Sequence, residues 1–135
     1  MTQPQLPKYA YFRGEIIPYA QAQVGVMTHA LNYGTGIFGG IRAYWNADNE
    51  QLYIFRPLDH FQRIHHSAHI MRMKVQQSPQ ELTDILCQLL RKENYRENVY
   101  VRPLVYKSAE MINVRLHDID DDITIFALPF GQYAA

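Results

Sequence analysis

The sequence has little to cross-link with: one cysteine, Cys87, in 135 residues, so no internal disulfide is available. It carries no excess of either charge, with 13 Lys+Arg against 13 Asp+Glu. A nucleic-acid tail or a polybasic membrane patch needs such an excess, so neither nucleic acid nor a membrane is expected as a partner. No apolar run approaches the ~20 residues that cross a bilayer. The opening Met1-Thr2-Gln3-Pro4 begins no charged-then-apolar signal segment. Repeats, low-complexity tracts and Gly/Ser linkers are also missing, so residues 1–135 read as one domain. These absences, with 47% apolar residues, describe a soluble, cytoplasmic, single globular unit with enough chain to bury a core.

Lysine is scarce as well. Lys8, Lys74, Lys92 and Lys107 are outnumbered by nine arginines. Arginine is the residue that grips a carboxylate or phosphate with a planar fork of donors.

The chain starts as two short strands, Tyr9 to Arg13 and Glu15 to Pro18, turning at Gly14. Ala20 to Gly34 fits neither period. Ile37 to Trp45 reads as a strand, Asn46-Ala47-Asp48-Asn49 as a polar turn, and Gln51 to Phe55 as the returning strand. Leu58, Phe61, Ile64, Ala68 and Met71 recur at spacings of three and four, which predicts a helix with Pro57 in its first turn. Ser78-Pro79-Gln80-Glu81 is a capping box, and Leu82, Ile85, Leu86, Leu89 and Leu90 continue the second helix. Val99 to Tyr106 alternates, with Tyr100, Arg102, Leu104 and Tyr106 on one face. Lys107 to Asp118 reads as a long excursion, and Ile123 to Leu128 is a last strand entered through Asp120-Asp121-Asp122. The fold class is α+β: a mostly antiparallel sheet with two helices packed on one face, a two-layer α/β sandwich.

Several motifs are weak when their context is required. Gly34-Thr35-Gly36-Ile37-Phe38-Gly39 matches the dinucleotide fingerprint, but strand-like residues follow where that site needs a helix. His65 and His69 stand four apart on a helix with no third ligand at a diagnostic spacing. Cys87 lies among leucines, where an inert buried thiol is expected. Arg102 is different, because a guanidinium in mid-strand on a partly buried face must find an anionic or carbonyl partner. The residues alone leave two readings open, an ion pair to the acids at 118–122 or a carboxylate site walled by tyrosines. Arg63, beside the apolar stripe of its helix, poses the same question.

Four blocks then occur in order: Met27-Thr28-His29-Ala30-Leu31-Asn32-Tyr33-Gly34-Thr35-Gly36-Ile37-Phe38-Gly39-Gly40-Ile41-Arg42, His60 to Ala68, Tyr100-Val101-Arg102-Pro103-Leu104, and Phe126 to Tyr133. Together they resemble the N-terminal domain of the branched-chain aminotransferases, pyridoxal-phosphate enzymes of fold type IV. The resemblance implies a small α+β domain closing over a cofactor, pyridoxal 5'-phosphate, that a missing C-terminal domain holds. It implies that Arg63 binds the cofactor phosphate. Tyr33, Phe38, Phe130 and Tyr133 would wall the side chain of the substrate, and Arg102, helped by Tyr100, would grip the distal carboxylate of glutamate or 2-oxoglutarate. Tyr33 and the loop near Val114 would reach toward the partner's site in a homodimer or a higher homo-oligomer. Arg63 and Arg102 are thereby expected to face one cavity.

The family's Schiff-base lysine matches none of the four lysines, so this chain alone is expected to be inactive, and no catalytic residue is assigned within it. Gly39 stands where the family commonly has Glu, and the 107–117 loop lacks the family's glycines. D-amino acid aminotransferase and aminodeoxychorismate lyase share the fold type and remain alternatives. A non-catalytic binding or dimerisation module is a third.

Overall fold

The computed structural model describes residues 5–134. Met1 to Pro4, read above for a targeting segment, lie outside the described residues. Seven strands form one open antiparallel sheet. They are β1 (Tyr9–Phe12), β2 (Glu15–Pro18), β3 (Gly36–Phe38), β4 (Ile41–Asn46), β5 (Gln51–Ile54), β6 (Val99–Lys107) and β7 (Asp121–Pro129). Their order is β2-β1-β7-β6-β4-β5, with β3 also paired to β6. Helices α2 (Pro57–Ile70) and α3 (Pro79–Glu93) cover one face, while the short α1 (His29–Tyr33) and α4 (Phe130–Ala134) lie at its margins.

The helices form where the periodicity places them. The Ser78–Glu81 capping box is present in both directions, and α3 ends at Asn94 in the left-handed conformation. In α2 the buried stripe is Phe61, Ile64 and Ala68, whereas Leu58 is exposed at the first turn. These side chains meet Ile41, Ala43, Val99, Val101, Val105, Ile123, Ile125 and Ala127 from the strands in a single core. Each buried aliphatic side chain contributes about 1.5–3 kcal/mol relative to exposure.

Three expectations are corrected. The segment from Ile37 to Trp45 is two strands, β3 and β4, separated at Gly39-Gly40. Both pair with the same edge of β6, β4 at residues 99–101 and β3 at 104–106. Pro103 sits between those pairings, and its carbonyl accepts from Gly39 N–H at 3.0 Å. In an antiparallel strand the N–H and C=O of a residue point the same way, so the missing proline N–H falls in the gap, where no ladder bond is forfeited.

The second correction concerns Lys107, which is the last residue of β6 rather than the start of a loop. It lies on the core face, 1% exposed, with Nζ 2.7 Å from Asp121 Oδ1 and donating at 2.7 Å to the Arg72 carbonyl. The Asp121 contact is an ion pair without the alignment of a hydrogen bond. Third, Cys87 is half-buried, on the margin of the core.

Candidate functional site

Period-2 alternation divides the sheet chemically. Val101 and Pro103 face the helices, so Tyr100 and Arg102 project from the other face. Cross-strand register adds Arg42 and Leu128 beside Tyr100, Phe126 beside Arg102, and Phe38 beside Leu104. Of the residues assigned from sequence, Phe38, Tyr100, Arg102, Phe130 and Tyr133 come together here.

Arg102 donates from Nε and one terminal nitrogen to the Tyr100 hydroxyl, at 3.2 and 3.1 Å. Its guanidinium carbon also stands 4.2 Å from the centre of the Phe38 ring. The Tyr100 and Tyr133 rings are stacked parallel, 3.8 Å apart, and Tyr133 meets Phe130 at 6.2 Å. Arg42, on which the sequence pattern confers no special place, closes the series with its guanidinium 4.7 Å from the Phe130 ring. Of the two readings of Arg102, the structure rejects the ion pair. Among the described residues no carboxylate is bound to it, and in the acidic stretch Asp121 is paired with Lys107 and Asp118 with Arg115. What remains is a cation braced on aromatic faces with donors to spare, a fit for an anion arriving from outside.

Gly40 is required by this packing. A Cβ there would stand 2.9 Å from Tyr100 Cε2 and 3.1 Å from its hydroxyl oxygen. Gly39 turns the opposite way, toward Ile64 Cδ1 and Pro103. The crossover between β3 and β4 is therefore a thin partition between the helix layer and the Arg102 face.

Arg63 lies across that partition. It is exposed on α2, one residue before Ile64, and no ion pair engages it among the described residues. Its helix α2 packs against the face of the sheet that carries Val101 and Pro103, while Arg102 projects from the other face. Burial and then the positive charges of Arg63 and Arg56 hold the His60 imidazole below its ordinary range, against an opposing pull from Asp59.

Tyr33 belongs to a second group. Its ring tilts against that of His29 at 4.6 Å. His29 also reaches the segment carrying Ile112 and Val114, which are 60% and 84% exposed. Along the Arg102 face runs an apolar groove of about 450 Å³, lined by Phe12, Leu31, Leu104, Tyr106 and Phe126 among others and by no charged residue. The charge and the apolar space thus lie side by side on one face.

No protein-family model matches the chain. A probable branched-chain-amino-acid aminotransferase of Aquifex aeolicus (strain VF5) is 40% identical over 125 residues, covering 93% of this chain and 40% of that protein. The branched-chain-amino-acid aminotransferase of Escherichia coli (strain K12) is 38% identical over 126 residues, with the same shares covered. Among solved structures, the Thermoproteus uzoniensis branched-chain aminotransferase with norvaline superposes at a TM-score of 0.85 and 34% identity, covering 91% of this chain and 41% of that one. The T.th. branched-chain amino acid aminotransferase complexed with N-(5'-phosphopyridoxyl)-L-glutamate gives 0.86 at 31% identity, covering 96% and 42%. The chain spans about two-fifths of the length of the relatives it matches. Along nine-tenths of its own length this chain is therefore similar, in sequence and in fold, to about two-fifths of the length of the branched-chain aminotransferases.

Proposed function

We propose that the chain is the small N-terminal domain of an enzyme that moves an amino group between leucine, isoleucine or valine and 2-oxoglutarate. The chain supplies part of the substrate pocket and a contact to the phosphate of pyridoxal 5'-phosphate. The observation that carries the reading is Arg102, held by Tyr100 and Phe38 and engaged by no carboxylate of the described residues.

The residues present fit the cofactor in part. The exposed guanidinium of Arg63 suits a phosphate dianion. The lysine that the chemistry requires is not offered here: Lys107 is committed to Asp121, Lys92 lies over the Tyr9 ring, and Lys8 and Lys74 are exposed. When bound, the cofactor supplies an electron sink for charge developing at the substrate Cα. This chain's side chains do the sorting. A leucine-like side chain lies against Phe38, Phe130 and Tyr133, while a glutamate-like one extends its carboxylate to Arg102 and the Tyr100 hydroxyl.

Relatives support that double use. The Thermoproteus uzoniensis enzyme is seen with norvaline, and the T.th. enzyme with a phosphopyridoxyl-glutamate and with pyridoxamine 5'-phosphate. The remaining walls come from a C-terminal domain and from a second copy of the chain, and the exposed Tyr33, Ile112 and Val114 are the residues that would meet that copy. The test is amino transfer from leucine to 2-oxoglutarate by the complete polypeptide loaded with pyridoxal 5'-phosphate. Turnover with leucine and glutamate as alternative donors supports the reading, and inability to use either overturns it.

A further inference from the structure

We propose that His29 is a positioning residue, whose buried imidazole locks the 108–118 segment onto α1 so that Tyr33 and Val114 are presented as one rigid edge. The inference rests on the reading that this edge serves the substrate site.

His29 is fully buried, with no exposed surface. A buried imidazole must have both ring nitrogens satisfied, and here each is. Nδ1 lies 2.8 Å from the Thr35 hydroxyl, and Nε2 meets the Asn113 carbonyl. A carbonyl can only accept, so Nε2 carries the proton. The Thr35 hydroxyl, which can donate or accept, satisfies Nδ1, and the Thr35 carbonyl accepts from Lys107 N–H at the end of β6 at 3.0 Å.

The segment has few other anchors. Backbone contacts fix its start: His29 N–H donates to the Ala109 carbonyl at 2.8 Å, and Thr28 bridges to Glu110. Past that point its polar contacts turn inward. Arg115 N–H donates to Asn113 Oδ1, and the Arg115 side chain serves the His117 carbonyl and Asp118. Within the described residues, the side-chain hydrogen bond tying 111–118 to the body of the fold is the one from His29. The same imidazole touches the Tyr33 ring. One side chain thus sets the spacing between two residues that lie about 80 positions apart in the chain, and misplacement by about an ångström suffices to weaken a substrate contact.

The test uses amide hydrogen exchange at Arg115 in the 135-residue chain, with Val101 and Ile125 as sheet references. His29→Leu should speed Arg115 exchange at least tenfold with the references changed less than threefold. His29→Gln, whose amide can donate to the Asn113 carbonyl, should restore most of the protection. Thr35→Val, which leaves Nδ1 of the buried imidazole without its partner, should speed the same amide by a smaller factor and covers the case in which His29→Leu does not fold. Unchanged Arg115 exchange in these variants, or acceleration spread equally over the sheet, overturns the proposal.

In the complete polypeptide Thr35→Val should raise the KM for the amino donor several-fold with kcat within about a factor of two. An unchanged KM overturns the positioning role. Absence of amino transfer in the unsubstituted polypeptide defeats the proposed function instead and leaves the exchange result standing.

Discussion

The guanidinium of Arg102 stands 4.2 Å from the centre of the Phe38 ring, so the charge on β6 is braced by the residue that ends β3. Its remaining support is the hydroxyl of Tyr100, which is itself stacked on Tyr133 of α4. Three separate stretches of chain thus orient one cation.

Under the proposed function, that arrangement makes Arg102 a discriminator rather than a general contributor. In the complete enzyme Arg102→Ala should lower kcat/KM for glutamate by roughly 10- to 100-fold, the size of a lost charged hydrogen bond of about 1.5–3 kcal/mol. Leucine, which presents no distal carboxylate, should lose less than about threefold. Steady-state kinetics with both donors checks this, and equal losses would make Arg102 a structural residue.

Much of this cluster is legible in the sequence because period-2 alternation alone puts Tyr100 and Arg102 on one face. The resemblance adds Phe38, Phe130 and Tyr133. The place of Lys107 is not legible in the same way, because its partner is set by register. It stands directly across from Asp121, and register depends on pairings that no local pattern announces. His29 escapes sequence reasoning for a related cause, since its two partners lie 6 and 84 residues away. Which face of the sheet α2 covers is likewise not legible in the sequence. Amphipathicity gives the buried side of a helix but not the face of the sheet that receives it.

The two glycines of the crossover should respond differently to the same added methyl. A Cβ at Gly39 meets the tip of Ile64 at 2.9 Å, and that side chain can rotate away. A Cβ at Gly40 meets Tyr100 at the same distance, but the ring is buried and clamped against Tyr133. Gly40→Ala should therefore cost about 1–3 kcal/mol, the range for overpacking, and Gly39→Ala less than about 1 kcal/mol. Urea denaturation of the two variants measures the difference, and equal midpoints would contradict the rigidity assigned to Tyr100.

His60 offers a reporter for the proposed phosphate contact at Arg63. Its imidazole is held below the ordinary range by burial and, next, by the charge of Arg63. The fold therefore disfavours the protonated ring, and this contribution to stability is lost as pH falls through the folded-state value. A phosphate settling on Arg63 offsets that positive charge, so titrating inorganic phosphate should shift the His60 pKa upward in a proton NMR titration. In Arg63→Ala the pKa should begin higher and no longer respond to phosphate. The same variant of the complete enzyme should lose pyridoxal 5'-phosphate more readily on dilution. A His60 signal indifferent to phosphate in the unsubstituted protein argues that Arg63 points elsewhere.

Asp122 shows a stability contribution of opposite sign at the start of β7. Desolvation raises its carboxyl above the ordinary value, and the Ile123 N–H and the charge of Arg13 only partly oppose this. The folded state thus binds the proton more tightly than the unfolded chain. This contribution is fully present below the unfolded value of about 3.9 and is lost as pH rises through the folded one. At pH 7 the ionised carboxylate is therefore a net burden on the fold. Asp122→Asn keeps an oxygen that can accept from Ile123 N–H while removing the charge, so it should raise Tm at pH 7. The gain should shrink toward zero as the pH approaches about 3, where both side chains are neutral. Thermal denaturation across that range decides it: a variant less stable at neutral pH would mean that attraction to Arg13 outweighs the cost of burial.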